Sequence, residues 1–197
     1  MTGARRLSQA LSEGDGISVL VDVADAASAR AAEEQGAEGI ALTGQRSGVR
    51  DATTLPILYR SSDSPDAASS AGADAWVLVA ERADDDGEEL AGLYAGAQDL
   101  GLECVVDVRD DEELELVLER IDPEILLLSA REAAEDESPL DRVLELLPAV
   151  PAGKLVIAEL PSAGRDDIAE LERAGVDAVL VGARNVADLV GTAPPEV

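Results

Sequence analysis

The sequence predicts an α/β fold in which eight parallel strands, each followed by a helical segment, close into a (β/α)8 TIM barrel. Three observations support this prediction. Short aliphatic runs recur eight times along the 197 residues, they lack the apolar–polar alternation of half-exposed strands, and acidic segments with helical spacing separate them. Continuous apolar runs are typical of parallel strands that are covered on both faces. We expect residues 1–197 to form one compact domain.

The predicted strands are distributed over the whole chain. They comprise residues 17–23, 39–44, 56–61, 75–80, 103–108, 125–130, 155–160 and 178–183. Eight such units favour a closed barrel over the alternative, a doubly wound open sheet. An open sheet of that kind usually carries a glycine-rich phosphate loop after its first strand, whereas residues 24–28 contain no glycine.

Helical segments are predicted between the strands. Residues 110–121, 139–147 and 166–174 each carry apolar side chains along one stripe, with charged side chains on the opposite face. Ser64 followed by Pro65 is typical of a helix start. A glycine that ends a helix precedes a strand in three related phrases, at residues 35–39, 71–75 and 174–178.

Several connections are short for this fold, which typically needs about 250 residues. Residues 45–55 join the second and third strands and leave no room for a normal crossover helix. Residues 1–16 form a short N-terminal segment, and residues 192–197, which include two prolines, are expected to be frayed. The sequence therefore predicts a compact barrel with trimmed βα loops.

The chain is strongly acidic, with 42 acidic and 15 basic residues and a formal net charge of −27 at pH 7. Such a field repels nucleic acid and anionic membranes, so we expect neither as a partner. The charge is interpreted either as solvated helix faces or as adaptation to a high-salt cytoplasm, and we favour the halophilic interpretation. No apolar run approaches the roughly 18 residues of a membrane span, and the first residues contain no apolar stretch long enough for a signal peptide. The expected location is the cytoplasm.

Residue types limit the possible chemistry. Histidine is absent and Cys104 is the single cysteine, which argues against a zinc site and against a nucleophile activated by histidine. There is no P-loop or dinucleotide glycine signature. We expect no metal and no cofactor, although a carboxylate-only site for Mg²⁺ or Ca²⁺ stays open. Cys104 and Trp76 both lie inside predicted strands and are expected to belong to the core.

Four stretches of the sequence resemble one protein family: residues 102–108, 125–131, 155–159 and 174–182. They resemble the pattern of the indole-3-glycerol-phosphate synthases: a strand ending Val-Glu-Val-His, one ending Asn-x-Arg, one ending Ser-Glu-Ser-Gly, and a final Gly-Ala-Asp-Ala-Val-Leu-Val-Gly. The resemblance extends from Pro56 onward. It implies a (β/α)8 barrel, a carboxy-lyase reaction that closes an indole ring, and a relation to tryptophan biosynthesis.

The resemblance also implies a site at the carboxyl ends of the strands, and this chain keeps part of it. Glu159 and Asp107 stand at the carboxylate positions of the seventh and fifth strands and are candidate catalytic residues. Asp22 stands at a glutamate position on the first strand. Arg131 keeps the family arginine after the sixth strand, and Gly182 keeps the glycine after the eighth. These three are candidate substrate-binding residues.

Other positions depart from the family pattern. The lysine positions of the first and third strands hold Ala24 and Arg60, and the asparagine position of the sixth strand holds Ser129. Arginine stays charged and is a poor proton donor. Arg60, although it occupies a catalytic position, can therefore bind an anion but should not act as the acid. Ser129 is retained as a candidate substrate-binding residue.

The phosphate site implied by the resemblance is also changed. The pair after the seventh strand is Leu160-Pro161, and proline has no N–H to offer a phosphate. Arg184 could compensate with a guanidinium at the start of the last helix, which makes it another candidate substrate-binding residue. The basic loop at residues 45–50 is either an anion clamp beside the mouth or a solvated connection.

Three functions follow from these residues. The first is an indole-3-glycerol-phosphate synthase with impaired or altered catalysis, because both family lysines are replaced. The second is a non-catalytic barrel that binds a phosphorylated metabolite or a partner protein, as a monomer or homodimer. The third is an enzyme that acts on another phosphosugar with carboxylates alone. The charged strand ends would form either a ligand site or a salt-bridged plug in which the charges neutralise one another: Asp22, Arg60, Asp107, Arg131, Glu159 and Arg184.

Overall fold

The structure, a computed structural model, describes residues 7–14, 16–60, 64–80, 87–129, 138–182 and 186–189. The parallel strands pair in chain order and the last pairs with the first, so the sheet is a closed barrel. The predicted (β/α)8 TIM barrel is confirmed, and the open-sheet alternative is wrong. The strands are β1 (Ser18–Val23), β2 (Gly39–Thr43), β3 (Ile57–Arg60), β4 (Ala75–Val79), β5 (Glu103–Val108), β6 (Ile125–Ser129), β7 (Leu155–Leu160) and β8 (Ala178–Gly182).

Helices alternate with the strands and cover the outside of the barrel. The predicted helices 110–121, 139–147 and 166–174 match α6, α7 and α8 to within one residue at each end. The helices of the described ranges are α1 (Leu7–Ser12), α2 (Ala26–Glu34), α3 (Val49–Ala52), α4 (Pro65–Ser70), α5 (Glu88–Asp99), α6 (Asp111–Arg120), α7 (Pro139–Leu146), α8 (Arg165–Ala174) and α9 (Val186–Leu189). None of these helices is long and apolar enough to cross a bilayer.

Short polar side chains and glycines set the helix ends. Asp110 caps α6, because its Oδ1 accepts a hydrogen bond from the backbone N–H of Glu113 at 2.8 Å. At the other end of a helix, Gly175 follows α8 with a φ of 93°, a left-handed conformation that favours glycine. The start of α4 at Pro65, directly after Ser64, confirms the predicted helix start.

The amino-end opening of the barrel is closed by α1. Leu7 and Leu11 are buried and belong to the cluster of apolar side chains that fills the barrel interior. The backbone N–H of Ser8 donates to the Glu103 carboxylate at 3.2 Å, which ties α1 to the start of β5. The segment predicted only as a short N-terminal stretch therefore contains a helix that closes one end of the barrel.

Alternate residues of each strand face inward and outward. Leu20, Leu58 and Val105 belong to the inner cluster. Trp76 and Cys104 face outward into the layer between sheet and helices, where they are 0% and 7% exposed. The expectation that both belong to the core is confirmed, and burial raises the pKa of the Cys104 thiol to about 12.

Two of the three related phrases contain an aspartate that fixes the neighbouring strand. Asp74 accepts from the backbone N–H of Ile57 at 2.9 Å, and Asp177 accepts from that of Val156 at 2.7 Å. The backbone N–H of each aspartate donates back to the carbonyl of the same partner residue at 3.0 Å. The phrase therefore joins the end of a helix to the first residues of the preceding strand.

The short connection between β2 and β3 contains only α3, a single turn, as its length predicted. Arg50 holds this connection in place. Its guanidinium contacts Asp74 at 2.8 Å and donates to the carbonyl oxygens of Thr53 and Leu55 at 2.7 and 2.8 Å. These partners precede β3 and β4, so Arg50 supports the amino ends of these strands rather than clamping an anion at the mouth.

Candidate functional site

The inward-facing side chains at the carboxyl ends of five strands form a polar layer above the apolar interior. Each lies two residues after an inward-facing apolar residue of the same strand, and alternate strand residues share a face. The layer consists of Asp22, Arg60, Asp107, Ser129 and Glu159. The structure thus brings together these five of the residues that the sequence singled out.

An ion pair crosses the polar layer. Nη2 of Arg60, at the end of β3, lies 2.6 Å from Oε1 of Glu159 on β7, and the two side chains are 8% and 18% exposed. A guanidinium–carboxylate contact of this length is a charge-assisted hydrogen bond, and removing one partner of such a shielded pair leaves the other charge uncompensated. The anion that Arg60 binds in the structure is therefore the Glu159 carboxylate.

A second contact joins β5 to β6. Asp107 is fully buried, and its Oδ1 accepts a hydrogen bond from Oγ of Ser129 at 2.5 Å. Burial raises the pKa of Asp107 to about 6, against the hydrogen bond from Ser129, which lowers it; Glu159 raises this pKa and Arg60 lowers it. Asp107 therefore exchanges its proton close to neutral pH, which a carboxylate in water does not do.

Asp22 completes the layer on β1. It is half-buried, and this burial raises its pKa above the ordinary value of 3.8. The charge of Arg60 lowers the same pKa and that of Glu159 raises it, so Asp22 lies within electrostatic reach of the ion pair. Three carboxylates thus share the layer with one guanidinium.

Arg109 is a residue that the sequence reasoning missed. It directly follows β5, at the histidine position of the family pattern, and its charge lowers the pKa of Asp107. Its guanidinium contacts Glu113 at 2.7 Å, and its carbonyl oxygen accepts a hydrogen bond from Arg142 at 3.2 Å. A basic residue directly after a candidate catalytic carboxylate was the signal that could have identified it.

The positions implied for phosphate binding are only partly described. Arg131 and Arg184 lie outside the described residues. At Gly182, an added Cβ would lie 3.4 Å from the carbonyl oxygen of Pro161. The backbone atom that faces Gly182 is therefore a hydrogen-bond acceptor, whereas a phosphate needs an N–H donor. Ala24 is exposed, and its backbone N–H donates to Oγ of Ser28 at 3.1 Å, beside the start of α2.

Across the ranges that the structure describes, no three or more cysteine and carboxylate side chains are placed to hold a metal ion.

A closed barrel with charged side chains converging at the carboxyl ends of its strands defines a TIM-barrel protein with a polar centre where such barrels hold their active sites. The model of the family named indole-3-glycerol phosphate synthase matches residues 62–188. The chain belongs to the indole-3-glycerol phosphate synthase family, as the resemblance in its sequence predicted.

Individual relatives agree with this assignment. The chain is 33% identical over 168 residues to the indole-3-glycerol phosphate synthase of Geobacillus sp. (strain WCH70), covering 78% of this chain and 64% of that protein. It is 30% identical over 174 residues to that of Shouchella clausii (strain KSM-K16), covering 81% and 68%. The chain therefore spans about two thirds of the length of these relatives.

A solved structure shares the fold. The N-acetylmannosamine-6-phosphate 2-epimerase from Clostridium perfringens superposes with a TM-score of 0.67 at 19% sequence identity, covering 87% of each chain. At this identity the likeness concerns the barrel alone.

Proposed function

We propose that this chain is an indole-3-glycerol-phosphate-synthase-like barrel, related to tryptophan biosynthesis, in which closure of the indole ring is impaired or replaced by other chemistry. The observation that carries the proposal is the 2.6 Å ion pair between Arg60 and Glu159. The family resemblance places a lysine general acid where Arg60 stands, and a catalytic glutamate where Glu159 stands.

The physical reason lies in the guanidinium. A lysine ammonium can release a proton near neutral pH once burial lowers its pKa, whereas an arginine side chain keeps its proton, with a pKa above about 12. Arg60 also neutralises Glu159, the carboxylate that the resemblance places in the reaction. The other family lysine position, Ala24, offers no functional group at all.

The remaining groups support binding of a small phosphorylated molecule. Asp22, Asp107 and Ser129 offer acceptors and a hydroxyl to a polyol, and Arg60 supplies a fixed positive charge. The loss of the N–H at Pro161 weakens the family's phosphate grip, so we expect weaker phosphate affinity than in an intact synthase.

The second candidate function is the non-catalytic barrel. It is favoured by the pairing of Arg60 with Glu159 and of Asp107 with Ser129, because side chains that bind each other between strands can close the mouth as a plug. A plug of this kind binds no metabolite at the mouth and leaves only the outer surface for a partner protein.

Turnover of carboxyphenylamino-deoxyribulose phosphate, followed by indole absorbance, tests the proposal. We expect little or no turnover by the wild type, and a gain on the order of 100-fold in Ala24→Lys/Arg60→Lys, the low end of what a general acid contributes. Arg173→Lys, on the exposed face of α8, serves as the matched control and should change nothing. Clear wild-type turnover that the double-lysine variant does not exceed would refute the proposal.

A further inference from the structure

Nε of Arg60, a donor, and Oδ2 of Asp107, an acceptor, are among the buried polar atoms of the polar layer that have no hydrogen-bond partner in the described part of the chain. The other end of each group is fixed, since Glu159 holds Nη2 of Arg60 and Ser129 holds Oδ1 of Asp107. Buried polar atoms without partners cost free energy and are rare in native proteins, so this pair calls for an explanation.

We propose that the polar layer binds an α-hydroxycarbonyl compound and catalyses its enolisation. A single partner that serves both atoms accepts a hydrogen bond from Nε of Arg60 and offers a proton to Oδ2 of Asp107. The carbonyl oxygen of such a compound can accept the hydrogen bond, and the neighbouring C–H bond, which the carbonyl acidifies, can give its proton to Oδ2. This inference rests on the proposed function, because it names the chemistry that remains once ring closure is lost.

The reaction is a balanced proton transfer. The C–H bond next to the carbonyl breaks, its proton moves to Oδ2 of Asp107, and its electron pair forms the C=C bond of the enolate. The enolate oxygen then accepts a hydrogen bond from Nε of Arg60. When the proton on Asp107 exchanges with solvent before it returns to the same carbon, the compound gains a solvent proton. Its return to the former carbonyl carbon, with transfer of the hydroxyl proton to the enolate oxygen, gives an isomer, and neither outcome requires an oxidant or reductant.

Arginine suits this chemistry although it does not suit the family reaction. Stabilisation of an enolate needs a fixed positive charge that does not give up its proton, and a guanidinium provides that. Glu159 holds the guanidinium from the opposite side, at 2.6 Å, so Arg60 does not have to reorganise when charge develops on the substrate.

The base is suited to neutral pH. Burial raises the pKa of Asp107 to about 6, and a general base is most effective when its pKa is close to the working pH. The charged groups that act on it are Glu159 on β7, which raises its pKa, and Arg60 on β3 and Arg109 directly after β5, which lower it. Asp22 on β1 is in turn within electrostatic reach of Arg60 and Glu159.

A single water molecule is the competing explanation, because water can also accept from Arg60 and donate to Asp107. Dihydroxyacetone and dihydroxyacetone phosphate, dissolved in D₂O, separate the two. Loss of their carbon-bound proton signals by NMR measures exchange. We expect the wild type to accelerate exchange on the order of 100-fold over acetate buffer at the same pD, as positioned bases do. The rate should rise with pH through a midpoint near 6, where Asp107 loses its proton.

Three variants test the assignment. Asp107→Asn, which keeps the shape, should abolish the acceleration, whereas Asp166→Asn on exposed α8 should keep it. Ser129→Ala removes a hydrogen bond that lowers the pKa of Asp107, so the midpoint should move to higher pH. Circular dichroism confirms that each variant is folded.

No acceleration in the wild type, or equal acceleration in Asp107→Asn, would overturn the inference and leave a bound water as the partner. Failure of the proposed function shows separately, as turnover of the family substrate by the wild type. The two assays use different substrates, so each proposal can fail without the other.

Discussion

Replacing Asp107 by asparagine is expected to stabilise the protein at neutral pH, by an amount that follows from the burial of this side chain. The pKa of Asp107 rises from 3.8 to about 6 in the folded protein. Because the folded state holds this proton more tightly than the unfolded state, the contribution of Asp107 to stability is fully present below about pH 4 and is lost as the pH rises through about 6. Each pKa unit corresponds to about 1.4 kcal/mol, so the ionised carboxylate costs about 3 kcal/mol at pH 7.

Asparagine keeps the size of the side chain and an oxygen for Ser129, but it carries no charge. We expect Asp107→Asn to raise the unfolding free energy by about 1–3 kcal/mol at pH 7.5. The gain is less than the full cost of the buried carboxylate, because the amide N–H groups that replace it are themselves polar and buried. The gain should shrink towards zero at pH 4, where the wild-type carboxyl is protonated. In thermal melts, the Tm should rise by roughly 2–4 °C for each kcal/mol gained in a chain of this size.

Urea unfolding between pH 4 and 7.5 at constant ionic strength, followed by circular dichroism, measures the difference. Asp166→Asn, a neutralised exposed carboxylate, corrects for the general effect of removing one negative charge. A loss of stability in Asp107→Asn at pH 7.5, or a difference from wild type that does not change with pH, would refute the reasoning. Such a loss would instead support the salt-bridged plug, in which every charge is compensated.

Three further predictions concern other parts of the molecule. Asp177→Ala should lose about 1–3 kcal/mol of unfolding free energy, because the N–H of Val156 loses its acceptor. Asp177→Asn should lose less, and equal losses of the two variants in urea unfolding would contradict this prediction. Cys104 has a pKa of about 12 and is 7% exposed, so iodoacetamide at pH 8 should label the native protein far more slowly than the urea-unfolded chain; equal rates would contradict its burial. With a net charge of −27, the unfolding free energy should rise from dilute buffer to molar KCl, and equal stability in both would rule out the halophilic interpretation.

Much of the fold could be predicted because each strand is marked by residues that are close together in the sequence. Every described strand begins and ends within one residue of its predicted range, since each aliphatic run is bounded by glycine, proline or charged residues. The helix α1 was missed because it spans only six residues, so its buried side chains, Leu7, Ala10 and Leu11, cover a stretch too short for a period to be distinguished. Its role depends on closure of the barrel, which brings it against strands distant in sequence.

The site was predictable in composition but not in its contacts. The family resemblance identified Asp22, Arg60, Asp107, Ser129 and Glu159 and placed them at the carboxyl ends of the strands. The pairing of Arg60 with Glu159, 99 residues apart, depends on how the ring closes, which no local pattern encodes. The pKa of Asp107 likewise depends on burial in the assembled barrel.

Closure of the amino-end opening by α1 has a consequence for ligand traffic. With Leu7 and Leu11 seated in the interior cluster, a molecule that reaches the polar layer arrives and departs on the side of the carboxyl ends. Two compounds that occupy the layer therefore compete for one entrance, and a slowly dissociating one delays the other even when their contacts differ. Inhibition by any occupant should accordingly follow competitive kinetics.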